Sequence, residues 1–359
     1  LIPSCWKVLM KISFVMSNCP RKPTGGHKII FEYMNYLSKN HNVTAYFGYE
    51  DSYEKFNIPI FLKRFLAKNA TKFFRPRWFV FSKNIKKVCI DDINDTTIFD
   101  ADIIIATDVK TAKPVYNLRK NKGNKFYFIQ DFENWYVSDD YVKNTYKLEM
   151  NKIVVSKWLK DLVSSISQEK IYYVSNSINT SIFKNENVTR IPHSIVFQYR
   201  SNKAKGCKYA IEVISRLKEK YDDLQVVIIS NEKKNDDIPN WCEYYFNVSQ
   251  NDVSKINNRS QVFLCTSIEE GFGLPGLEAM ACGCAVVSTA YEGIFEYAID
   301  RENALLSPIK DVDAMINNVI MLFENDELRK KIVDNGMKTA KERSFKKAAD
   351  EFENIIIKK

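Results

Sequence analysis

A glycine-rich turn between two apolar runs constrains the fold of this chain more than any other feature. Five of its eleven glycines fall between residues 271 and 293. The run before the turn, QVFLC at 261–265, predicts a buried parallel strand, and the run after it, LEAMA at 277–281, predicts the first turns of a helix. Pro275 lies near the first turn, where helices tolerate proline. The pattern predicts a strand, a tight loop and a helix N-terminus.

This turn is also a candidate ligand site. Glycines at 271, 273 and 276 would let the main chain approach a ligand closely. The unpaired N–H groups and the positive dipole end of a helix N-terminus suit a phosphate or a sugar hydroxyl. Glu270 and Glu278 can face the same crevice, and fixed carboxylates bind hydroxyls but repel phosphate. We therefore expect the loop amides to hold phosphate and the two carboxylates to hold hydroxyls.

The stretch EGFGLPGLEAMACG at 270–283 resembles the E-x7-E signature of family 4 retaining glycosyltransferases, which have the GT-B fold. The resemblance implies an α/β protein with two Rossmann-like doubly wound domains facing a cleft. It also implies transfer of a sugar from a nucleotide-diphosphate donor to a glycan or lipid-linked acceptor, with retention of configuration, in cell-surface polysaccharide synthesis. Glu278 would hold the ribose and Glu270 the transferred sugar. The donor is expected to be dTDP-, UDP- or GDP-linked.

The strand and helix patterns predict where the two domains begin and end. An N-terminal acceptor-side domain is predicted over 11–183, and a sugar-nucleotide-binding domain over 194–340. The amphipathic terminal helix, 344–359, is expected to cross back to the first domain, as in other GT-B proteins. We interpret residues 1–10 as a leader before the first strand.

The bond from the anomeric carbon to a phosphate oxygen must break, so stabilising charge on the departing diphosphate should matter most. Family 4 enzymes carry an Arg and a Lys at the spacing of Arg200 and Lys205, and the resemblance implies that both reach the diphosphate. We therefore expect no metal and no other cofactor. Catalytic roles are predicted for Glu270, Arg200, Lys205 and Asp131. The residues predicted to bind the donor are Gly25, Gly26, Phe272, Gly273, Leu274, Pro275, Glu278 and Val248.

In the first domain, the loop at Gly25 and Gly26 follows the predicted strand 11–16. It is not GxGxxG, so a dinucleotide oxidoreductase is disfavoured. The resemblance implies that this loop faces the donor phosphate and the acceptor. Asp100 and Asp102 form a DxD, which we interpret as the start of a strand rather than a metal site.

Polar residues also follow the apolar strand predicted at 125–129. Many family members carry His-Asp at this point, whereas this chain has Gln130 and Asp131. Gln130 could supply only a neutral hydrogen bond in place of the histidine. Gln130 and Glu133 are predicted on the acceptor side, and Gln-Asp-x-Glu is similar to rhamnosyltransferase-like members of the family.

Residues 61–87 contain nine basic residues, no acidic residue and seven aromatic ones, six of them interleaved with the basic residues, within a chain of net charge +9. Three interpretations stay open: aromatics packed in the core under solvated lysines, an interfacial patch on anionic lipid, or nucleic-acid binding. The third lacks an accompanying motif, so we expect no nucleic-acid partner.

No apolar run reaches about 18 residues, so no transmembrane helix is predicted. The eight cysteines show no CxxC pair, which favours a reducing cytoplasm, with the protein peripheral on the inner face of the membrane if 61–87 binds lipid. Two other functions stay open: a binding protein that has lost turnover, and a GT-B sugar-nucleotide epimerase.

Overall fold

The structure, a computed structural model, describes residues 9–20, 23–48, 59, 62, 76, 78–135 and 137–358. These residues form two compact units. The first runs to Val174 and resumes at Ala349, and the second is Ser175–Ala348. Each unit contains an open parallel sheet with helices between its strands, so the predicted fold class of two doubly wound α/β domains is confirmed.

Apolar runs form the strands of the first unit, and most are followed by a helix. Within the described residues the strands are β1 (Lys11–Met16), β2 (Asn42–Gly48), β3 (Lys86–Ile90), β4 (Ile103–Ala106), β5 (Asn124–Ile129), β6 (Asn151–Val154) and β7 (Ile171–Tyr173). The helices are α1 (Gly25–Leu37), α2 (Val109–Asn117), α3 (Asp139–Tyr146) and α4 (Lys157–Ser164), with a 3-10 turn at Lys120–Lys122.

The strand order of the first unit contains a topological switch. The described strands lie in the order β3-β2-β1-β4-β5-β6-β7, all parallel. The chain therefore moves outward from β1 through β2 to β3, then crosses to the other side of β1 at β4. In open α/β sheets the carboxyl ends of the two strands flanking such a switch are where ligands bind.

The second unit repeats this architecture with six described strands. They are β8 (Ser194–Tyr199), β9 (Gln225–Ser230), β10 (Glu243–Phe246), β11 (Val262–Cys265), β12 (Ala285–Thr289) and β13 (Leu305–Ser307), in the order β10-β9-β8-β11-β12-β13. Its switch lies between β8 and β11. The helices are α5 (Cys207–Lys220), α6 (Gln250–Arg259), α7 (Leu274–Ala281), α8 (Val312–Glu324) and α9 (Asp326–Glu342), with 3-10 turns at Lys203–Lys205 and Glu292–Glu296.

The two units divide earlier than the predicted domain limit at residue 183. Within the described residues, no strand of the first sheet pairs with residues 175–183. Their polar groups form hydrogen bonds within the second unit instead. The Ile178 N–H donates to the Arg343 carbonyl at 3.1 Å, and the Ser254 hydroxyl donates to the Ile182 carbonyl at 2.8 Å. These bonds explain why 175–183 groups with the second unit.

The terminal helix, α10 (Phe345–Ile357), begins in the second unit and continues in the first. The Phe352 ring stacks on Tyr33 with ring centroids 4.3 Å apart. The buried Glu353 carboxylate lies 2.9 Å from Nε2 of His41, just before β2. Residues from 349 onward are thus held by both apolar and polar contacts of the first unit.

Most of the basic aromatic segment, namely 61, 63–75 and 77, lies outside the described residues. The described aromatics Trp78, Phe79 and Phe81 surround Phe31, with ring centroids 5.5, 5.2 and 4.7 Å from it. These three rings are half-buried and pack against the buried Phe31 ring, as the core interpretation expects. Lipid binding by the rest stays a prediction.

No helix within the described part of the chain combines the length and the apolar character needed to cross a bilayer.

Candidate functional site

Two loops meet at the switch of the second unit. One follows β8 and carries Arg200 and Lys205, and the other follows β11 and carries Glu270. Because β8 and β11 are paired in parallel, the two loops leave the same edge of the sheet side by side. The Ala204 carbonyl joins them by accepting the N–H of Ile268 at 2.7 Å and that of Glu269 at 3.2 Å.

Gly206 makes this close approach possible. Its φ of 58° lies in the left-handed region, and a Cβ there would lie 2.1 Å from the Thr266 carbonyl oxygen. Any side chain at this position would push the two loops apart. The glycine therefore sets the distance between the basic loop and the acidic one.

The Glu270 carboxylate lies at the centre of this arrangement. Oε1 of Glu270 is 3.2 Å from Nζ of Lys205 and accepts a hydrogen bond from the Ser267 hydroxyl at 2.6 Å. The Glu270 side chain is only 15% exposed, so this ion pair is partly shielded from water. A shielded pair is held more firmly than an exposed one, and a ligand must compete with it for either partner.

Arg200 supplies a second cation beside this pair. One of its guanidinium nitrogens donates to its neighbour's carbonyl, that of Tyr199, at 2.6 Å. Burial lowers the pKa of the Arg200 guanidinium, while the nearby carboxylates of Glu232 and Glu270 oppose that shift. Arg200 and Lys205 thus place two positive charges near Glu270, where an anionic group could be neutralised.

The N-terminus of α7 opens directly after this loop. Gly273 occupies the N-cap with φ of 85°, Pro275 lies in the first turn, and no side chain caps the helix among the described residues. Burial leaves Phe272 3% exposed, with its ring 5.4 Å from that of Tyr297, so Phe272 can offer a ligand little more than its backbone. Glu278, on α7, is 7% exposed.

Gly273 and Gly276 serve a purpose that the sequence did not predict. A Cβ on Gly273 would lie 1.8 Å from the Tyr291 hydroxyl oxygen, and one on Gly276 would lie 2.3 Å from that of Tyr297. At these two positions the missing side chains make room for tyrosine hydroxyls, whereas we expected room for a ligand.

Val248 lies apart from this group in the sheet order. It follows β10, which is separated from β8 by β9. The structure therefore brings Lys205, Ser267 and Glu270 together but does not join Val248 to them by strand adjacency. Its role at the nucleotide base stays a prediction.

The switch of the first unit carries a different set of groups. Gly26 lies at the start of α1, and a Cβ there would be 3.2 Å from Nε2 of Gln130. Oε1 of Gln130 is buried without a hydrogen-bond partner among the described residues. Asp131 Oδ1 accepts the N–H of Phe132 at 2.9 Å. Gly26 and Gln130, predicted from separate motifs, are therefore neighbours.

Carboxylates of the protein itself occupy the N-terminus of α2, which follows β4. Oδ1 of Asp108 accepts the N–H groups of Lys110 and Thr111, each at 3.0 Å. Oε2 of Glu133 accepts the Val109 N–H at 2.5 Å. Burial raises the pKa of Glu133 well above its usual range, and the neighbouring Asp108 raises it further.

Asp100 and Asp102 lie at the opposite edge of the same sheet. Asp102 accepts the Lys11 N–H at 2.7 Å, and Asp100 accepts a hydrogen bond from Nζ of Lys122 at 2.8 Å. Both carboxylates thus tie down the start of strands, in agreement with the interpretation that we gave them.

Sequence reasoning missed Ser267, Asp108 and the two tyrosines. The spacing of Ser267 and Glu270, three residues apart, was a usable signal for a local hydrogen bond. Tyr291 and Tyr297 offered no such signal, because they reach the glycine loop from a segment beyond the next strand.

A comparison with protein families matches one segment of the chain. Residues 180–339 match the model for glycosyl transferases group 1. The match covers most of the second unit, including every residue of the Arg200, Lys205 and Glu270 group. That segment therefore carries the sequence pattern of this family.

Curated relatives are similar over a little more than half of the chain. An uncharacterized glycosyltransferase of Methanocaldococcus jannaschii is 26% identical over 54% of this chain and 56% of its own length. The N,N'-diacetylbacillosaminyl-diphospho-undecaprenol alpha-1,3-N-acetylgalactosaminyltransferase of Campylobacter jejuni is 24% identical over 63% of this chain and 58% of its own. The chain thus spans little more than half the length of these two relatives.

Solved structures share the fold over nearly the whole chain. The sucrose-phosphate synthase of Thermosynechococcus elongatus has a TM-score of 0.76 at 12% identity, covering 96% of this chain and 98% of its own. HepE from Anabaena, solved in complex with UDP-glucose, has a TM-score of 0.72 at 14% identity, covering 96% of this chain and 99% of its own. The structural neighbours are glycosyltransferases of the GT-B fold.

Proposed function

We propose that this protein is a retaining glycosyltransferase that moves a sugar from a nucleotide-diphosphate donor to a glycan or lipid-linked acceptor. The observation that carries the proposal is the group formed by Lys205, Glu270 and Arg200 beside the uncapped N-terminus of α7. Two cations and an open helix N-terminus suit a diphosphate, and a held carboxylate suits a sugar hydroxyl.

The Lys205–Glu270 ion pair prepares both groups for the donor. Until the donor binds, each neutralises the other at 3.2 Å. The diphosphate would attract Lys205, while Glu270, still held by the Ser267 hydroxyl, would accept a hydrogen bond from the sugar. The pair thus separates into one group for phosphate and one for the hexose.

Charge then decides the rate of bond breaking. As the bond from the anomeric carbon to the phosphate oxygen lengthens, negative charge accumulates on the departing diphosphate. Preorganised cations and N–H groups stabilise that charge more strongly than they stabilise the intact donor. We propose that Lys205, Arg200 and the α7 N-terminus supply this stabilisation, and that a phosphate oxygen accepts the proton of the attacking hydroxyl.

We further propose that Glu278 holds the ribose, and that Gln130, Asp131 and Glu133 of the first unit serve the acceptor. Relatives support an envelope polysaccharide or lipid-linked acceptor: the Campylobacter protein is named for a diphospho-undecaprenol substrate, and a Salmonella typhimurium relative, 22% identical over 61% of this chain, is an O-antigen chain mannosyltransferase. The Gln-Asp-x-Glu pattern at 130–133 favours a deoxyhexose donor.

Radiolabelled UDP-, GDP- and dTDP-sugars, offered with lipid-linked acceptors, test the proposal. The wild-type protein should transfer label from at least one donor, with the anomeric configuration retained in the product. Adding a chelator should leave the rate unchanged, because the cations belong to the protein. Glu270→Gln, which removes the charge but keeps the shape, should lower the rate by about two orders of magnitude or more.

The same assay distinguishes the other functions. Donor binding without transfer by wild type would identify a binding protein, and conversion of the donor sugar without any acceptor would identify an epimerase. Either result would contradict the proposed transfer.

A further inference from the structure

Two buried tyrosines lie behind the N-terminus of α7. Tyr291 and Tyr297 flank the 3-10 turn that follows β12, and they are 1% and 3% exposed. We refer to them as the tyrosine pair. Burial raises the pKa of both phenols well above the ordinary value, so both hydroxyls remain protonated. Their hydroxyls meet the glycine loop rather than solvent.

Tyr297 fixes the direction of one peptide plane. Its hydroxyl donates to the Gly273 carbonyl at 2.6 Å, and the Gly276 N–H donates to the same oxygen at 3.1 Å. Because a trans peptide is planar, its C=O and N–H point in opposite directions. The Leu274 N–H must therefore point away from the body of α7, outward from the helix N-terminus.

Tyr291 fixes the conformation of the same glycine. Its hydroxyl oxygen lies 1.8 Å from where a Cβ of Gly273 would be, and Gly273 has φ of 85°. A non-glycine residue would therefore meet both a steric clash and backbone strain. The hydroxyl fills the space left by the missing side chain and leaves little room for the turn to relax.

The segment that carries the tyrosine pair is itself held in place. Nδ2 of Asn303 donates to the Tyr297 carbonyl at 2.8 Å and to the Thr339 hydroxyl of α9 at 3.0 Å. A Cβ on Gly293, inside the 3-10 turn, would lie 2.4 Å from the Glu270 carbonyl oxygen. The pair is thus braced by α9 and packs against the backbone of the acidic loop.

From these contacts we infer that Tyr297 and Tyr291 are positioning residues for the donor diphosphate, because they hold the Gly273 peptide so that the Leu274 N–H meets the leaving group. The inference rests on the proposed function, since it assumes that a nucleotide diphosphate is the ligand of α7. It adds two residues that touch neither the donor nor the reacting atoms.

Tyr297→Phe removes only the hydroxyl and tests the inference directly. Without the hydroxyl the Gly273 peptide is no longer held, so the Leu274 N–H should lose its hydrogen bond to the departing diphosphate. The loss of one such bond should lower kcat about tenfold. The KM for the donor should rise less, because the charge on the leaving group grows only as the bond breaks. Tyr221→Phe is the matched control. The Tyr221 hydroxyl donates to Glu324 at 2.7 Å near the amino end of β9, so its removal should leave kcat unchanged.

A size exchange separates positioning from packing. Gly276→Ala should lower the melting temperature, since its Cβ would lie 2.3 Å from the Tyr297 hydroxyl. In the double variant with Tyr297→Phe, the ring atom nearest to the new Cβ at position 276 is Cζ, at 3.3 Å. The melting temperature should therefore largely recover while kcat stays low. Recovery of kcat together with stability would overturn the inference.

Calorimetry with UDP, GDP and dTDP as probes keeps the two proposals distinguishable. The wild-type protein could bind a nucleotide and yet transfer no sugar. Weaker nucleotide binding by Tyr297→Phe would in that case support the inference on the tyrosine pair, while the proposed transferase activity would be contradicted. Unchanged nucleotide affinity and unchanged kcat would overturn the tyrosine pair alone. A wild-type protein that neither binds nor transfers would overturn both.

Discussion

The helix that follows the strand across the switch begins differently in the two units. In the first unit, the first N–H groups of α2 donate to carboxyl oxygens of Asp108 and Glu133. In the second unit, α7 occupies the equivalent place in the sheet but starts at Gly273, and no side chain of the described residues caps it. The same topology thus produces one filled helix N-terminus and one open one.

This difference teaches how one fold can supply both structure and a site. A parallel sheet with a switch always places a helix N-terminus near the carboxyl ends of its central strands. The residues at the cap then decide whether the protein itself or an outside anion satisfies the N–H groups. Acidic caps favour stability in the first unit, and in the second a glycine cap leaves the N–H groups to the ligand that we propose.

The largest expected effect tests the open end. Lys205→Ala should lower kcat/KM by about 100- to 1,000-fold, because it removes a charge that stabilises the leaving group. Steady-state kinetics with saturating acceptor would measure it. Lys208→Ala is the control, because Lys208 is exposed and its Nζ lies over the Tyr209 ring. This variant should change kcat/KM little. Equal kinetics for the two variants would refute the phosphate role of Lys205.

The next effect tests the filled end. Asp108→Ala should lower the free energy of unfolding by about 1–2 kcal/mol, because α2 loses its cap and the Ser17 N–H loses its acceptor. Urea titration followed by circular dichroism would measure the change. Ser138→Ala, at the N-cap of α3 with one bond of 3.3 Å, should cost less. An Asp108 variant as stable as wild type would contradict the assignment of this cap to stability.

A third variant makes the open end resemble the filled one. Pro275→Glu places a carboxylate in the first turn of α7, where it should compete with a diphosphate. We expect UDP to bind about fivefold more weakly, which corresponds to about 1 kcal/mol at a helix N-terminus. Pro275→Ala controls for the loss of the ring. If the Glu and Ala variants bind UDP equally well, the N-terminus of α7 does not meet the phosphates.

The smallest effect is a pH dependence in the first unit. The pKa of Glu133 is raised in the folded protein. At pH values between the ordinary pKa of a glutamate and this raised pKa, the folded state holds a proton that the unfolded state has released. Stability should therefore fall as pH rises through this window, until the folded pKa is passed. Glu133→Gln should flatten that slope, as measured by denaturation at several pH values. Parallel pH profiles for the two proteins would show that Glu133 does not titrate in this way.

Local sequence patterns located most elements of the two sheets. The predicted strand at 11–16 has the same bounds in the structure, and the one predicted at 125–129 begins one residue earlier, since apolar runs are typical of strands buried on both faces. The strand and helix around the glycine loop were also placed correctly. The two compact units divide after Val174, and local patterns do not show this position, because long-range hydrogen bonds join the residues after β7 to the second unit.

By itself, the sequence determined the strand, glycine loop and helix that carry Glu270 and Glu278, because apolar periodicity and glycine spacing are local properties of the chain, and the resemblance carried by this motif implied the doubly wound architecture. Only the tertiary structure decided that Lys205 meets Glu270, and that Tyr291 and Tyr297 fill the space beside Gly273 and Gly276. Such contacts join segments that are distant in the chain, and they form only when strand order brings those segments to one edge of a sheet. For this physical reason the sequence reveals the motif, whereas only the tertiary structure reveals the groups that support it.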